Sequence, residues 1–376
     1  MTSSRPTELA IPAVPEPALF VKGEAILYRL YDVGYAIRLD RAFQMLSSNA
    51  PERRRPVQEG AATIQIPNPP VTVSLGTTTC ELCGEQREVE FSARIFDFGL
   101  VSIRARLPVS ADLPWQAFTA FGAAVAGDLG WTARFDEARR SLCDRISAAI
   151  EKPGNSAVTE EYLVFRVRSL CDGDNNRLQV SALRDADIAQ LLLGEPRPVS
   201  EAARAELLSR RYSYFEDDLT TLTWYAALVV EDEPGESAVE YMLEFANAQL
   251  LELRFYDAIL DNELPLMNAR ILQARRRFSR LLADLQTLVS DATDTVERIE
   301  NSFKVTDDVF LGRVYAAALE IFGGRAWRRG IDRKLETLRS TYIMLNAEAQ
   351  ALRSEVLEIT VILLILAEIV LAMFRS

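Results

Sequence analysis

The chain of 376 residues contains no histidine. That absence removes the usual general base near neutral pH, every Ser-His or Cys-His nucleophile pair, and the commonest metal ligand. Cysteine is scarce: Cys80, Cys83, Cys143 and Cys171 are too few for a disulfide-stapled secreted domain and point to a reducing compartment. Lysine occurs only as Lys22, Lys152, Lys304 and Lys334, so positive charge rests on arginine. Glycine-rich phosphate loops and the GxSxG nucleophile elbow are missing, which leaves phosphate cradles and serine hydrolysis without support. Acidic residues outnumber basic ones 54 to 42, and a net charge of -12 argues against long-range attraction to nucleic acid or anionic lipid. The opening MTSSRPTELAIPAVPEP has no contiguous apolar run, so 1–22 reads as a disordered lead-in rather than a secretory signal.

What is present divides the chain. From 23 to 235 short strand-like and helical patterns alternate, the mark of an α+β domain with mixed strands and helices. Glu24 to Leu39 and Arg87 to Leu107 each read as two strands joined at Asp-x-Gly, rich in β-branched and aromatic residues. They share a hexapeptide: Arg29-Leu30-Tyr31-Asp32-Val33-Gly34 and Arg94-Ile95-Phe96-Asp97-Phe98-Gly99 agree as Arg, aliphatic, aromatic, Asp, apolar, Gly. Either an ancient duplication or the common need for a turn-forming Asp and a permissive Gly accounts for it. Helices are expected over Trp115 to Ala126 and Ala133 to Ile150, strands over Tyr162 to Leu170 and Asp218 to Val230, and a helix after the N-cap Ser200. Asp172-Gly173-Asp174-Asn175-Asn176 opens like a calcium loop but has Arg177 and Leu183 where that loop needs Gly and Glu, so it reads as a turn.

After Glu231-Asp232-Glu233-Pro234-Gly235 nothing reads as sheet, and 236–355 reads as a helical stalk. One heptad seam runs through Met267, Ile271, Phe278, Leu281, Leu285 and Leu288, and a second through Ile331, Leu335, Leu338, Tyr342, Leu345 and Leu352. Two such helices joined through a short one argue for an antiparallel coiled-coil hairpin, or for a stalk shared between subunits; the helices of an ordinary soluble bundle are the alternative. The second seam enters an apolar tail, VLEITVILLILAEIVLAMF at 356–374, whose 19 residues have the length of one transmembrane helix and mark a tail anchor. The seam continues there through Ile359, Leu363, Leu366 and Val370, leaving Glu368 on the opposite side.

Thr79-Cys80-Glu81-Leu82-Cys83-Gly84 has the shape of a zinc or redox turn, yet Cys80 and Cys83 have no second pair and no histidine to complete four ligands. No metal or other cofactor is expected, and an inert hairpin is the simpler reading. Two arginine clusters, Arg275, Arg276, Arg277 and Arg280, and Arg325, Arg328, Arg329 and Arg333, offer the one local route to RNA or lipid phosphates; a solvated helical face is the plainer account.

The C-terminal order Leu357-Glu358, the run Ile359 to Ala367, and Glu368-Ile369-Val370, together with Phe96-Asp97-Phe98-Gly99-Leu100-Val101, resembles the membrane proteins required for meiotic nuclear division and their YagE-like relatives. That resemblance implies a non-enzymatic, oligomeric protein held by one C-terminal span through Glu358, Ile359, Leu363, Leu366, Glu368 and Val370, on the matrix side of the mitochondrial inner membrane in eukaryotes. The expectation is therefore a tail-anchored scaffold or tether without catalysis, its N-terminal domain cytoplasmic on a bacterial membrane. It would hold the bilayer through its last helix, associate with itself and engage a protein partner. A membrane-linked RNA- or ribosome-binding adaptor and a soluble oligomer with a buried C-terminal helix are the alternatives.

Overall fold

The computed structural model describes residues 19–49, 51, 68–82, 84–109, 113–154, 156–194, 197, 199–232, 235–273, 283, 286–287, 289–290, 293 and 308–375. Strands rich in Val, Ile, Leu and aromatics build a ten-stranded sheet. Its spatial order is β10 (Arg211–Tyr212), β11 (Leu219–Leu222), β12 (Ala226–Val230), β8 (Thr159–Cys171), β1 (Phe20–Asp32), β5 (Leu100–Pro108), β4 (Glu85–Ile95) and β3 (Val71–Leu82). Two short strands hang from it, β6 (Leu113–Pro114) on β1 and β9 (Arg177–Leu178) on β8. The sheet is mixed: β12 runs parallel to β8, whereas β1 pairs antiparallel with both β5 and β8. A separate two-stranded sheet joins β2 (Gly34–Ile37) to β7 (Ile150–Pro153).

Helices cover both faces, and the central strands are accordingly buried almost throughout instead of alternating. On one face lie α1 (Leu39–Met45), α2 (Trp115–Gly127), α3 (Trp131–Ile146), α4 (Asp185–Leu193) and α5 (Glu201–Leu207). Phe118, Phe135 and Ile188 pack there against Ala25, Ile103 and Phe165. The other face carries α6 (Ala238–Gln273) and α7 (Val309–Ile321), whose Met242, Phe245, Leu311 and Val314 close over Ile26, Leu30 and Val164. The first turns of the segment that the sequence marks as stalk thus share a core with the sheet.

The two Asp-x-Gly turns meet. Val33 N–H donates to the Gly99 carbonyl at 3.0 Å and Ile37 N–H to the Asp97 carbonyl at 2.9 Å. Gly99 sits at φ +94, and a Cβ there would lie 1.7 Å from the Gly34 carbonyl oxygen. The second turn closes the expected hairpin between β4 and β5. The first does not, because β2 leaves to pair with β7.

The last element, α8 (Gly324–Arg375), is 52 residues long. Its Ile331, Leu335, Leu338 and Leu345 pack on Leu253, Tyr256 and Leu260 of α6. Arg254 stacks on Trp327 at 5.9 Å and Lys334 reaches Asp257 and Asp261 at 2.7 and 2.6 Å, so contacts advance together along both helices. These two helices therefore run parallel over this contact; the first seam, expected to return against α8 as a hairpin, lies largely outside the described residues.

Among the described residues no helix is long and apolar enough to cross a membrane. This corrects the transmembrane tail expected at 356–374. Glu358 and Glu368 bracket the nine residues 359–367, roughly 14 Å of helix, under half of a bilayer core of about 30 Å. The observed architecture is a large mixed sheet between helical layers with a long C-terminal helix, and no span among the described residues.

Candidate functional site

The most heavily charged place in the interior lies between the sheet and α6. On β4 and β5, period-two alternation points Arg94, Arg104 and Arg106 toward the helix, and β8 adds Arg166 and Arg168. Glu240 and Glu244, one turn apart on α6, and Glu236, two residues before its start, meet them from above. Arg94 is 1 % exposed and donates to Glu244, itself fully buried, and to Glu236, while its guanidinium lies 4.4 Å from the Tyr241 ring centroid. Arg104 donates to Glu236 and, through Nε, to Ser92 Oγ at 3.2 Å. Toward the rim Glu24 stands 3.3 to 3.5 Å from Arg106, Arg166 and Arg168, and Arg166 pairs with Glu231 at 3.1 Å.

Five arginines face five glutamates in this cluster, which balances charge internally. Burial would raise the Glu236 carboxyl, but Arg94 and Arg104 outweigh it and hold the group at about 2. Glu240 goes the other way: burial raises its pKa, with Arg104 and Arg106 no nearer than 3.6 and 3.7 Å. Such a charge-balanced cluster, buried at Arg94 and Glu244 and opening toward Glu236 and Arg168, locks a helix to a sheet and leaves little unspent charge for a ligand. Sequence reading passed over it, although the two-residue arginine period and the four-residue glutamate period were both visible.

The expected sites fall elsewhere. Cys80 is buried in β3 with its thiol pKa raised by burial; Cys83 lies outside the described residues. Among the described residues no group of three or more Cys, Asp or Glu could hold a metal. Asp172 caps a tight turn, accepting from the backbone N–H of Asp174 and Asn176 at 2.9 and 2.8 Å. Arg275, Arg276, Arg277 and Arg280, and the seam residues Phe278, Leu281, Leu285 and Leu288, lie outside the described residues, while Met267 and Ile271 are within α6. Arg325, Arg328 and Arg329 line a cleft of about 590 Å³ between α6, α7 and α8. There Arg328 bonds Asp332 at 3.1 Å, and Arg329 and Arg333 bond carbonyls of their own helix at 3.2 and 3.3 Å.

Of the second seam, Leu335, Leu338 and Leu345 are buried and Tyr342 is half-buried against the α6 side; Leu352 and Val370 lie in the same helix. Beyond them the picture inverts. Val356, Leu357, Ile359, Val361, Ile362, Leu363, Leu364, Ile365, Leu366 and Ile369 are each 51–65 % exposed. This distal half of α8, with Glu358 and Glu368, is the one long apolar surface that the described fold leaves open.

A sequence profile described as "Uncharacterized protein MJ0711, N-terminal domain" matches residues 22–237, more than half of the chain. The chain is also 22% identical over 243 residues to "Uncharacterized protein MJ0711" of Methanocaldococcus jannaschii, covering 64% of this chain and 74% of that one. No solved structure matches. The profile match overturns the resemblance to meiotic-division and YagE-like membrane proteins, which rested on a few residues at either end of the shared region.

Proposed function

We propose that this chain, which belongs to the uncharacterised MJ0711 N-terminal-domain family, is a non-catalytic interaction protein: a rigid sandwich that presents a long helix to a protein partner. The observation that carries this reading is the contrast between interior and tip. Inside, charge is spent arginine against glutamate, whereas the distal half of α8 holds ten large apolar side chains more than half open. An apolar patch of that extent on a folded protein is a binding surface by default. The absence of histidine, which removes the commonest acid–base chemistry, agrees with it.

A photo-crosslinking amino acid placed at Ile362 or Leu364 in cells is expected to form discrete protein adducts, while one at Glu151 on the small sheet forms none. Equal labelling at the three positions, or adducts only at Glu151, would overturn the reading.

A further inference from the structure

The heptad frame of α8 is fixed by its own packing. Ile331, Leu338 and Leu345 take the d positions and Leu335 an a position against α6, all of them buried. Carried forward by sevens, the same frame places Leu363 with Val356 at a, Ile359 and Leu366 at d, and Ile362 and Ile369 at g, all exposed. The small residues Thr360 and Ala367 fall at e. Glu358 falls at c and Glu368 at f, the outward positions of a coiled coil. One stripe, then, is covered up to Leu345 by α6 together with Val289, and is bare beyond Val356, and the tail's two carboxylates stand off that stripe.

We infer that the distal stripe of α8 is covered by the same stripe of a second copy of this chain. This rests on the reading of α8 as an interaction helix and names its partner. Self-pairing along a, d and g buries apolar side chains while both carboxylates stay in water, so no uncompensated charge is desolvated. A lipid surface, to which a helix carrying Glu358 and Glu368 on one narrow side could also turn its apolar face, is the rival occupant that the vesicle measurement below separates. Six of the ten exposed apolar side chains, Val356, Ile359, Ile362, Leu363, Leu366 and Ile369, lie on that stripe, a contact at the small end of the interfaces that join two chains. The pairing is also continuous with an existing contact, since it prolongs the seam that α6 already fills.

The test is sedimentation equilibrium of the full chain from roughly 1 to 50 µM, a range spanning moderate self-affinity, with Leu363→Glu and Val361→Glu beside it. Leu363 is at a and Val361 at f, so a carboxylate enters the contact in the first variant and solvent in the second. The wild-type chain is expected to be dimeric or larger; Leu363→Glu weakens association more than tenfold and Val361→Glu less than about twofold. A chain monomeric throughout, or equal weakening by both variants, overturns the inference. So does a monomer that co-sediments with phosphatidylcholine vesicles. Photo-adducts to a different protein, formed by a chain that stays monomeric, would remove the second copy and leave the interaction reading standing.

Discussion

Arg94 shows how much a single buried charge can govern. It is 1 % exposed, bonded to Glu244 and Glu236, and stacked on Tyr241. Removing the guanidinium strands the Glu244 carboxylate in the interior, while Glu236 keeps Arg104, so Arg94→Ala is expected to lower the unfolding free energy by about 3–5 kcal/mol in urea titrations. Replacing both partners, Arg94→Met with Glu244→Leu, should recover most of the loss, because no unpaired charge remains at that pair. Asp32, at the end of β1, gives a pH signature of opposite sign to that of Glu236. Burial raises its carboxyl from the ordinary 3.8 to about 7, so the folded state binds the proton more tightly than the unfolded one. Its contribution is present below about pH 4 and is lost as pH rises to about 7. Asp32→Asn should flatten stability across that interval. Glu236, held at about 2 against an ordinary 4.5, contributes above pH 4.5 and loses that contribution as pH falls toward 2, a decline that Glu236→Gln should erase.

At the scale of elements, the contact between the two Asp-x-Gly turns fixes where β2 departs from β1. Gly99 combines a left-handed φ of +94 with a carbonyl 1.7 Å from any Cβ, whereas Gly76, at φ +100, has nothing within 4 Å. Gly76→Ala should cost about 1 kcal/mol of backbone strain alone. Gly99→Ala should cost more than about 3 kcal/mol, or prevent folding, since backbone must move. Thermal denaturation of the pair separates conformational strain from steric contact. Much at this scale was legible: periodicity located α2, α3, β8 and the Ser200 cap, whose hydroxyl accepts from Ala203 N–H at 3.3 Å. Turn chemistry was read correctly as turn and wrongly as partner. Asp32-Val33-Gly34 shares its hexapeptide pattern with Asp97-Phe98-Gly99, yet local residues say only that the chain bends, while a register to Ile150–Pro153 is decided over a hundred residues away. Long-range pairing also hid the ionic cluster, for Arg94 and Glu244 are 150 positions apart. The tail reads as a span when its 19 residues are taken as one apolar length that tolerates Glu358 and Glu368; split at those carboxylates, it leaves nine uncharged residues.

For the whole molecule, the sandwich and the distal helix are energetically separable. None of the exposed residues from Val356 to Ile369 belongs to the three packed cores. A chain ending at Ser354 should therefore unfold at the same temperature as the full chain when both are dilute, and a marked drop would mean that the tail packs back on the sandwich. A helix of 52 residues is roughly 78 Å long, and its buried core contacts with α6 run only as far as Leu345. The helix behaves as a pointer clamped at its root. The clamp is α6, and α6 is seated on the sheet by the arginine–glutamate cluster. A settling of α6 by a few degrees, as when one ion pair is exchanged for another, would swing the tip through several ångströms, turning a small change inside the sandwich into a large displacement where the helix meets its partner.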